Sequence, residues 1–138
     1  PATDAGAPDG PVARLCNWLT EDPSSPLKRH THPAAEIDSL IDVRAVFQQS
    51  HRDLKLEAMP RLLLPAKGRF GLIDYEKIFC PDLKRGPDIF DARGIDRQSG
   101  ALVIVRPDQY VADITSLNDF AVLTAFFARF MLPGRREQ

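Results

Sequence analysis

The residues with the greatest capacity for chemistry in this chain are three histidines and two cysteines. Imidazole nitrogens are common zinc ligands, and a cysteine thiolate is a strong nucleophile. His30 and His32 lie in a proline-rich, basic stretch without a neighbouring Cys-x-x-Cys or His-x-x-x-His. We therefore interpret this stretch as a solvated loop rather than a metal site, and we assign His51 a solvated or capping role.

The two cysteines, Cys16 and Cys80, are far apart in the sequence and form no Cys-x-x-Cys pair. We expect reduced thiols that fill space in the core, since two cysteines are too few for a disulfide-stapled scaffold. The alternative for Cys80 is a reactive thiol that acts with His51 and an acidic residue. No local motif supports that alternative.

Carboxylates for acid-base chemistry are frequent in the second half of the chain, but basic residues alternate with them. This pattern predicts a solvated, salt-bridged surface. The sequence also lacks Gly-x-Gly-x-x-Gly and Gly-x-x-x-x-Gly-Lys-Ser/Thr, so it encodes no nucleotide cradle. We expect no catalytic, cofactor-binding or metal-binding residue in the chain. The residues considered are Asp74, Glu76, Asp82, Asp88, Asp91 and Asp96, with Lys77, Lys84, Arg85, Arg93 and Arg97.

The composition limits the class of protein. The chain has 138 residues, 43% of them hydrophobic, and a net charge of −1. This balance predicts one globular domain over residues 11–133, with residues 1–10 as a linker or loop and 134–138 as a tail. Nucleic acid is an unexpected partner without a basic stripe. With no apolar run of about 20 residues and no signal-type start, we expect a cytoplasmic protein without a membrane span.

Several elements can be placed from the spacing of apolar residues. A helix is predicted to start at Pro11, with Leu15, Cys16 and Leu19 on its packed face, and to stop at Asp22. Residues 22–33 are predicted to be loop, 41–47 a strand, and 71–79 an extended segment. Short irregular pieces are predicted in the segment between residues 51 and 79, where Pro60 and Pro65 break the apolar runs. Residues 86–94 are predicted to form one or two helical turns closed by Gly94.

The block at residues 101–112 (ALVIVRPDQYVA) predicts a β-hairpin. Its structural turn consists of Arg106, Pro107, Asp108 and Tyr110. Pro107 suits the second position of a tight turn because its ring presets φ, and Asp108 can bond to the nearby backbone. We expect Tyr110 to be half-buried and non-catalytic.

A final helix is predicted after Ser116, which can serve as its cap, and Pro133-Gly134 should end it. Its broad apolar face is predicted to belong to the core first and to a partner interface second. The order of helix, strand, short helix, hairpin and helix indicates an α/β domain with helices on a mixed sheet. The candidate interface residues are Phe120, Phe127, Phe130 and Met131.

Residues 100–112, preceded by residues 91–96 (DARGID), resemble the carboxy-terminal domain of flavin-dependent aromatic hydroxylases. These are the phenol 2-monooxygenase and 3-hydroxybenzoate 4-monooxygenase enzymes of aromatic hydrocarbon catabolism. Similarity continues through residues 41–48, 72–82 and 126–133 and is greatest to the 3-hydroxybenzoate branch.

The resemblance implies a thioredoxin-like fold without the redox cysteines, used for structure and dimerisation. It also implies a homodimeric parent oxidoreductase with FAD and substrate domains, which uses FAD, NADPH and oxygen to hydroxylate a phenolic ring. The chemistry belongs to the flavin, whose binding motifs lie outside these residues. We therefore expect no cofactor to be bound by this chain alone.

The resemblance also implies that a strand is missing. A thioredoxin-like sheet has its first strand between the second strand and the hairpin, yet no strand-forming run precedes Pro11. We expect another segment to fill this position. A free-standing thioredoxin-like module that binds a protein partner is the alternative function, and a thiol enzyme using Cys80 is a third.

Overall fold

The computed structural model describes residue 7, residues 9–82, residue 84 and residues 86–134. The predicted linker at residues 1–10 and tail at 134–138 therefore lie largely outside the described residues, as does Arg85. The elements, in chain order, are α1 (Pro11–Glu21), α2 (Pro26–His30), β1 (Ala45–Val46), β2 (Ala66–Lys67), β3 (Leu72–Ile73), β4 (Ile78–Phe79), α3 (Ile89–Arg93), β5 (Leu102–Val105), β6 (Val111–Thr115) and α4 (Phe120–Ala128).

Helix α1 confirms the predicted start at Pro11. Gly10 is its N-cap residue, and the extended backbone of Asp22 ends the helix. Leu15, Cys16 and Leu19 are buried on one face. The helix face that was predicted to pack is therefore the one that is buried.

The loop predicted for residues 22–33 is wrong in its middle, where α2 lies. The Ser25 hydroxyl accepts a hydrogen bond from the backbone N–H of Lys28, and Pro26 occupies the first turn. Serine as cap and proline at the first helical position are start signals, so the prolines flank this helix rather than interrupt it. His30, at the last position of this helix, is therefore buried, and the prediction of a solvated loop is wrong for it.

The strands of the described residues pair in three two-stranded sheets. β1 pairs with β4 in parallel, while β2 pairs with β3 and β5 with β6 in antiparallel arrangement. The extended segment predicted at 71–79 is interrupted, because a turn at residues 76–77 separates β3 from β4 and the two strands belong to different sheets. The architecture is α/β, as the element order predicts, but the described strands form three small sheets rather than the one mixed sheet that was also expected.

The strand predicted for residues 41–47 has a different extent in the structure. Burial alternates along it as expected, from half-buried Ile41 through exposed Arg44 to buried Phe47. Only Ala45 and Val46 form a ladder, because the partner β4 is itself two residues long. Between residues 51 and 65 the chain forms two 3-10 turns, Leu56–Ala58 and Arg61–Leu63, in agreement with the predicted irregular pieces.

Two helix ends test the predictions from capping. Gly94 closes α3 in the left-handed conformation at φ +63°, as predicted, and Asp88 caps its start. Ser116 does not cap α4, since its hydroxyl accepts from the N–H of Asn118 and the helix begins at Phe120. Helix α4 ends at Ala128, one turn before Pro133, because the chain leaves the helical path after Arg129.

The core joins the two ends of the described chain. Leu15 and Leu19 of α1 pack in one cluster with Leu123 of α4, and Leu117 belongs to the same cluster. The Trp18 ring stacks on Phe120 with centroids 4.6 Å apart. Helices α1, α2 and α4 therefore share one apolar centre, on which Leu102 and Ile104 of the hairpin also pack.

Candidate interaction surface

Two of the three histidines make hydrogen bonds that have a structural role. The Nδ1 of buried His30 lies 2.8 Å from the carbonyl oxygen of Leu132 and donates to it. His32 is exposed, and its Nδ1 accepts from the N–H of Ala34 at 3.1 Å. His51 is exposed as well. In the described part of the chain, no three or more His, Cys, Asp and Glu side chains gather as a metal ion would require.

The cysteines are free thiols in different surroundings. Burial raises the pKa of Cys16 to about 12, and burial also raises the pKa of the half-buried Cys80. A thiol is nucleophilic as the thiolate, which a raised pKa makes scarce at neutral pH. The environment of Cys80 therefore favours the space-filling interpretation over the thiol enzyme.

The most extensive polar contacts form a cluster that the sequence analysis did not predict. The Nζ of Lys77 lies 2.8 Å from Oδ2 of Asp38 and also pairs with Asp42. Lys67 pairs with Asp38 and lies 3.1 Å from Glu36. Lys77 and Asp38 are both buried. The prediction of a solvated surface is therefore wrong for Lys77. Its charge is satisfied by two carboxylates that lie 35 and 39 positions earlier in the sequence and that the fold brings next to it.

The charges of this cluster hold one another in the ionised form. Burial by itself raises the pKa of Asp38, but hydrogen bonds from Lys67 and Lys77 outweigh it and leave that pKa below its usual value. Burial likewise lowers the pKa of Lys77, and its two carboxylate partners raise it by more. A lysine held protonated by carboxylates is a poor general base, so the cluster has a structural role.

A second ion-pair group lies at the start of α3. One guanidinium nitrogen of Arg97 is 2.8 Å from a carboxylate oxygen of Asp88 and 2.8 Å from one of Asp91. Asp88 also accepts from the backbone N–H groups of Phe90 and Asp91. These carboxylates are therefore engaged in capping and pairing, as the predicted salt-bridged surface requires.

The hairpin has the predicted turn. The N–H of Gln109 donates to the carbonyl of Arg106 at 2.9 Å, which places Pro107 second in the turn, and Asp108 pairs with Arg106 at 2.7 Å. Gln109 takes a positive φ of 68° to bring the chain back into β6. The Tyr110 side chain is 71% exposed, so the half-buried position expected for it is wrong. The turn leaves its ring beyond the end of β5.

The four candidate interface residues of the last helix differ in exposure. Phe120 and Phe127 are half-buried and pack on the core, whereas Phe130 is 64% exposed just beyond the helix. Met131 is half-buried. Of these side chains, Phe130 is the most available to a partner, and the adjacent Leu132 is 85% exposed.

Two further groups of exposed apolar side chains lie on strands. One is the outer side of the β5–β6 hairpin, with Val103, Val105, Val111 and Ile114. The other is the β2–β3 hairpin, which we call the arm (residues 66–75). Its exposed side chains are Phe70, Leu72, Ile73 and Tyr75. Exposed apolar groups of this kind indicate protein contacts.

The sequence matches the family model described as "Phenol hydroxylase, C-terminal dimerisation domain" over residues 3–135. It is 54% identical over 129 residues to the 3-hydroxybenzoate 4-monooxygenase of Comamonas testosteroni, covering 93% of this chain and 20% of that protein. It is 31% identical over 123 residues to the FAD-dependent monooxygenase terD of Aspergillus terreus, covering 87% of this chain and 20% of that protein.

The chain thus spans about a fifth of the length of these relatives. None of the helices in the described ranges is long and apolar enough to cross a membrane. The family match covers nearly the whole chain, and the contacts above are those of a packing module. The chain belongs to the phenol hydroxylase C-terminal dimerisation domain family.

Proposed function

We propose that this chain is the structural, C-terminal part of a cytoplasmic, homodimeric flavoprotein monooxygenase. The parent would use FAD, NADPH and oxygen to hydroxylate a phenolic ring, with 3-hydroxybenzoate or a related phenol as substrate. The observation that carries this proposal is the 54% identity to a 3-hydroxybenzoate 4-monooxygenase over 93% of the chain. The fragment itself contributes shape and contacts, and the chemistry belongs to the rest of the parent.

The described side chains are consistent with a non-catalytic role. The glycines lie in turns and caps and not in a dinucleotide fingerprint, which the full sequence lacks. The residues present do not form a cradle for FAD, so the flavin would be held by other domains of the parent. The densest cluster of ionisable side chains is the one around Lys77, and its members are paired with one another.

We further propose that residues 11–133 are a thioredoxin-like domain, with residues 1–10 as a linker and 134–138 as a tail. The element order supports this, and so does the arrangement of strands. β1 and β5 pack on one core through Ala45, Leu102 and Ile104, yet each has a single strand partner among the described residues. A strand from the upstream part of the parent, placed between β1 and β5, would complete the sheet.

The test is to purify the full-length parent and measure its mass, its visible spectrum and its activity. We expect a dimer with flavin absorbance that consumes one NADPH and one oxygen for each 3-hydroxybenzoate hydroxylated, with water as the other product. Benzoate is the matched control because it lacks the activating hydroxyl. Phenol in place of 3-hydroxybenzoate distinguishes the two branches.

A colourless native species of 15.4 kDa would contradict the proposal. It would favour a free-standing module that binds a protein partner through the same exposed apolar side chains. A flavoprotein that oxidises NADPH equally with benzoate and with 3-hydroxybenzoate would contradict the proposed substrate class alone.

A further inference from the structure

The β5–β6 hairpin presents an aliphatic surface on the side that faces away from the core. Val103 stands opposite Ile114, and Val105 opposite Val111. Directly paired residues project to the same side, as do residues two apart on one strand. A bulge at Ala112 keeps Val111 and Ile114 on that side although they are three residues apart.

A second strand pair, β1–β4, repeats this arrangement. Ala45 and Ile78 pack on the core, while their strand neighbours Val46 and Phe79 are each 42% exposed. Both pairs therefore have apolar side chains on two sides, although only one side is covered by the helices. We call the uncovered side the outer face. It consists of Val46, Phe79, Val103, Val105, Val111 and Ile114.

A sheet with two apolar sides is the pattern of a sheet buried on both sides. The three most exposed members of the outer face are Val105 at 55%, Val111 at 58% and Ile114 at 62%. At such fractions the face offers on the order of 500 Å² of apolar surface. A stable dimer interface buries about 800 Å² per partner, roughly 65% of it apolar. The outer face is therefore of the size that one subunit interface needs.

A second copy of the chain fits this surface better than a different partner would. A twofold interface uses the same patch on both subunits, so the patch must be complementary to itself. Strands bearing valine and isoleucine meet this condition, since two such faces interdigitate when the sheets stack. The matched family is described as a dimerisation domain, so a second copy of the chain is the expected partner.

The arm is a poorer candidate for such an interface. It presents Phe70 and Leu72 as the most exposed side chains of a short hairpin with a two-residue ladder. A projecting apolar tip needs a concave receptor, which an identical projecting tip does not provide. The arm therefore serves as a matched control with equally exposed apolar residues.

We propose that the outer face packs against the outer face of a second copy and forms the dimer interface. This inference rests on the homodimer of the proposed function and names the surface that makes it. Val105 and Ile114 would lie in the buried centre of that interface. The helices would remain on the outside of the dimer.

The test uses the full-length parent, in which Val105→Lys and Ile114→Lys are compared with Leu72→Lys in the arm. We expect each outer-face variant to weaken the dimer at least 100-fold, because a lysine there would be buried without a partner. Leu72→Lys should leave the dimer unchanged. Sedimentation measures the dissociation constant, and flavin absorbance with far-UV circular dichroism reports folding.

A second measurement remains decisive if a lysine variant fails to fold. Val105→Cys should join two subunits through a short bismaleimide, whereas Leu72→Cys should not. Outer-face variants that stay folded and dimeric, or crosslinking through Leu72→Cys alone, would overturn the inference while leaving the homodimer intact. A monomeric wild-type parent would overturn the homodimer itself, and the inference with it.

Discussion

Lys77 is only 5% exposed, and its charge is stabilised there by carboxylates from elsewhere in the chain. Removing an ammonium from water costs several kcal/mol, which close ion pairs can offset. Asp38 does so from one side and Asp42 from the other. The same Asp38 also pairs with Lys67 at the base of the arm. One buried carboxylate thus connects β4, the arm and the segment before β1.

The substitution Asp38→Asn is expected to lower the free energy of unfolding by about 3 kcal/mol, because it leaves a buried lysine short of its counter-charge. Urea unfolding of the chain, followed by the fluorescence of its single tryptophan, Trp18, measures the loss. Asp53→Asn is the control, since Asp53 is exposed and should cost less than about 0.5 kcal/mol. Equal losses for the two variants would show that the cluster adds no stability.

Acid should destabilise the fold through the same carboxylates. The pKa values of Asp38 and Asp42 are lowered in the folded protein, so folding favours their ionised forms. Their contribution is present above the unfolded pKa of about 3.9 and is lost as pH falls through the folded value. Unfolding free energies measured from pH 7 down to pH 3 should fall at the acid end, and less steeply in Asp38→Asn. Stability that is constant or increases on acidification would contradict this assignment.

Elements with local signals could be predicted from the sequence, and those that depend on distant partners could not. Pro11 starts α1, Gly94 ends α3 and Pro107 sets the hairpin turn, because each acts within a few residues of itself. The two-residue length of β1 is set by β4, which lies 33 positions away. The Lys77 cluster also depends on residues that are distant in the sequence, and no spacing of residue types predicts it.

The α2 helix was missed for a different reason. Residues 22–33 contain three prolines, which together suggest a loop. The signal that could have found the helix is the pair Ser25-Pro26, a cap followed by a residue suited to the first turn. The exposure of the outer face could not be predicted either. Sequence alternation gives the two sides of a strand but not which side the helices cover.

Gly94 allows a test at the level of one element. Gly94→Ala is expected to cost about 1 kcal/mol, because alanine disfavours the left-handed conformation that closes α3. No atom lies within 4 Å of the position of an added Cβ, so the cost is conformational and not steric. Gly94→Asn should cost less, since asparagine tolerates this conformation. Urea unfolding gives both values, and equal losses for alanine and asparagine would contradict the explanation.

At the scale of the whole molecule, β1–β4 and β5–β6 pack on one core as two separate sheets. β1 is paired on the β4 side, where the N–H groups of Ala45 and Phe47 bond to Lys77 and Phe79. The N–H of Val46 points to the opposite side, toward the position proposed for a strand from upstream. Backbone groups at such an edge are open to a further strand.

The Val46 amide should therefore exchange its hydrogen slowly in the full-length parent and quickly in this chain alone. The amides of Ala45 and Phe47 are internal controls, because their bonds to β4 are present in both forms. Hydrogen exchange followed by NMR or by fragmentation mass spectrometry resolves the three positions. Fast exchange of Val46 in the full-length parent would show that no strand is added there.

The sharing of one core by α1 and α4 has a consequence for biosynthesis. The Arg14 guanidinium donates to the side-chain oxygen of Asn118 across 104 positions, and the Thr124 hydroxyl donates to the carbonyl of Ser24 across 100. Contacts of this separation close late, because a long loop must first be ordered. On the ribosome, α1 would pack early on α2 and on residues 61–63, but part of its apolar face, including the Trp18 ring, would stay uncovered until α4 has left the exit tunnel. A nascent chain that stops before Phe120 should therefore be a substrate for chaperones and proteases rather than a smaller folded domain.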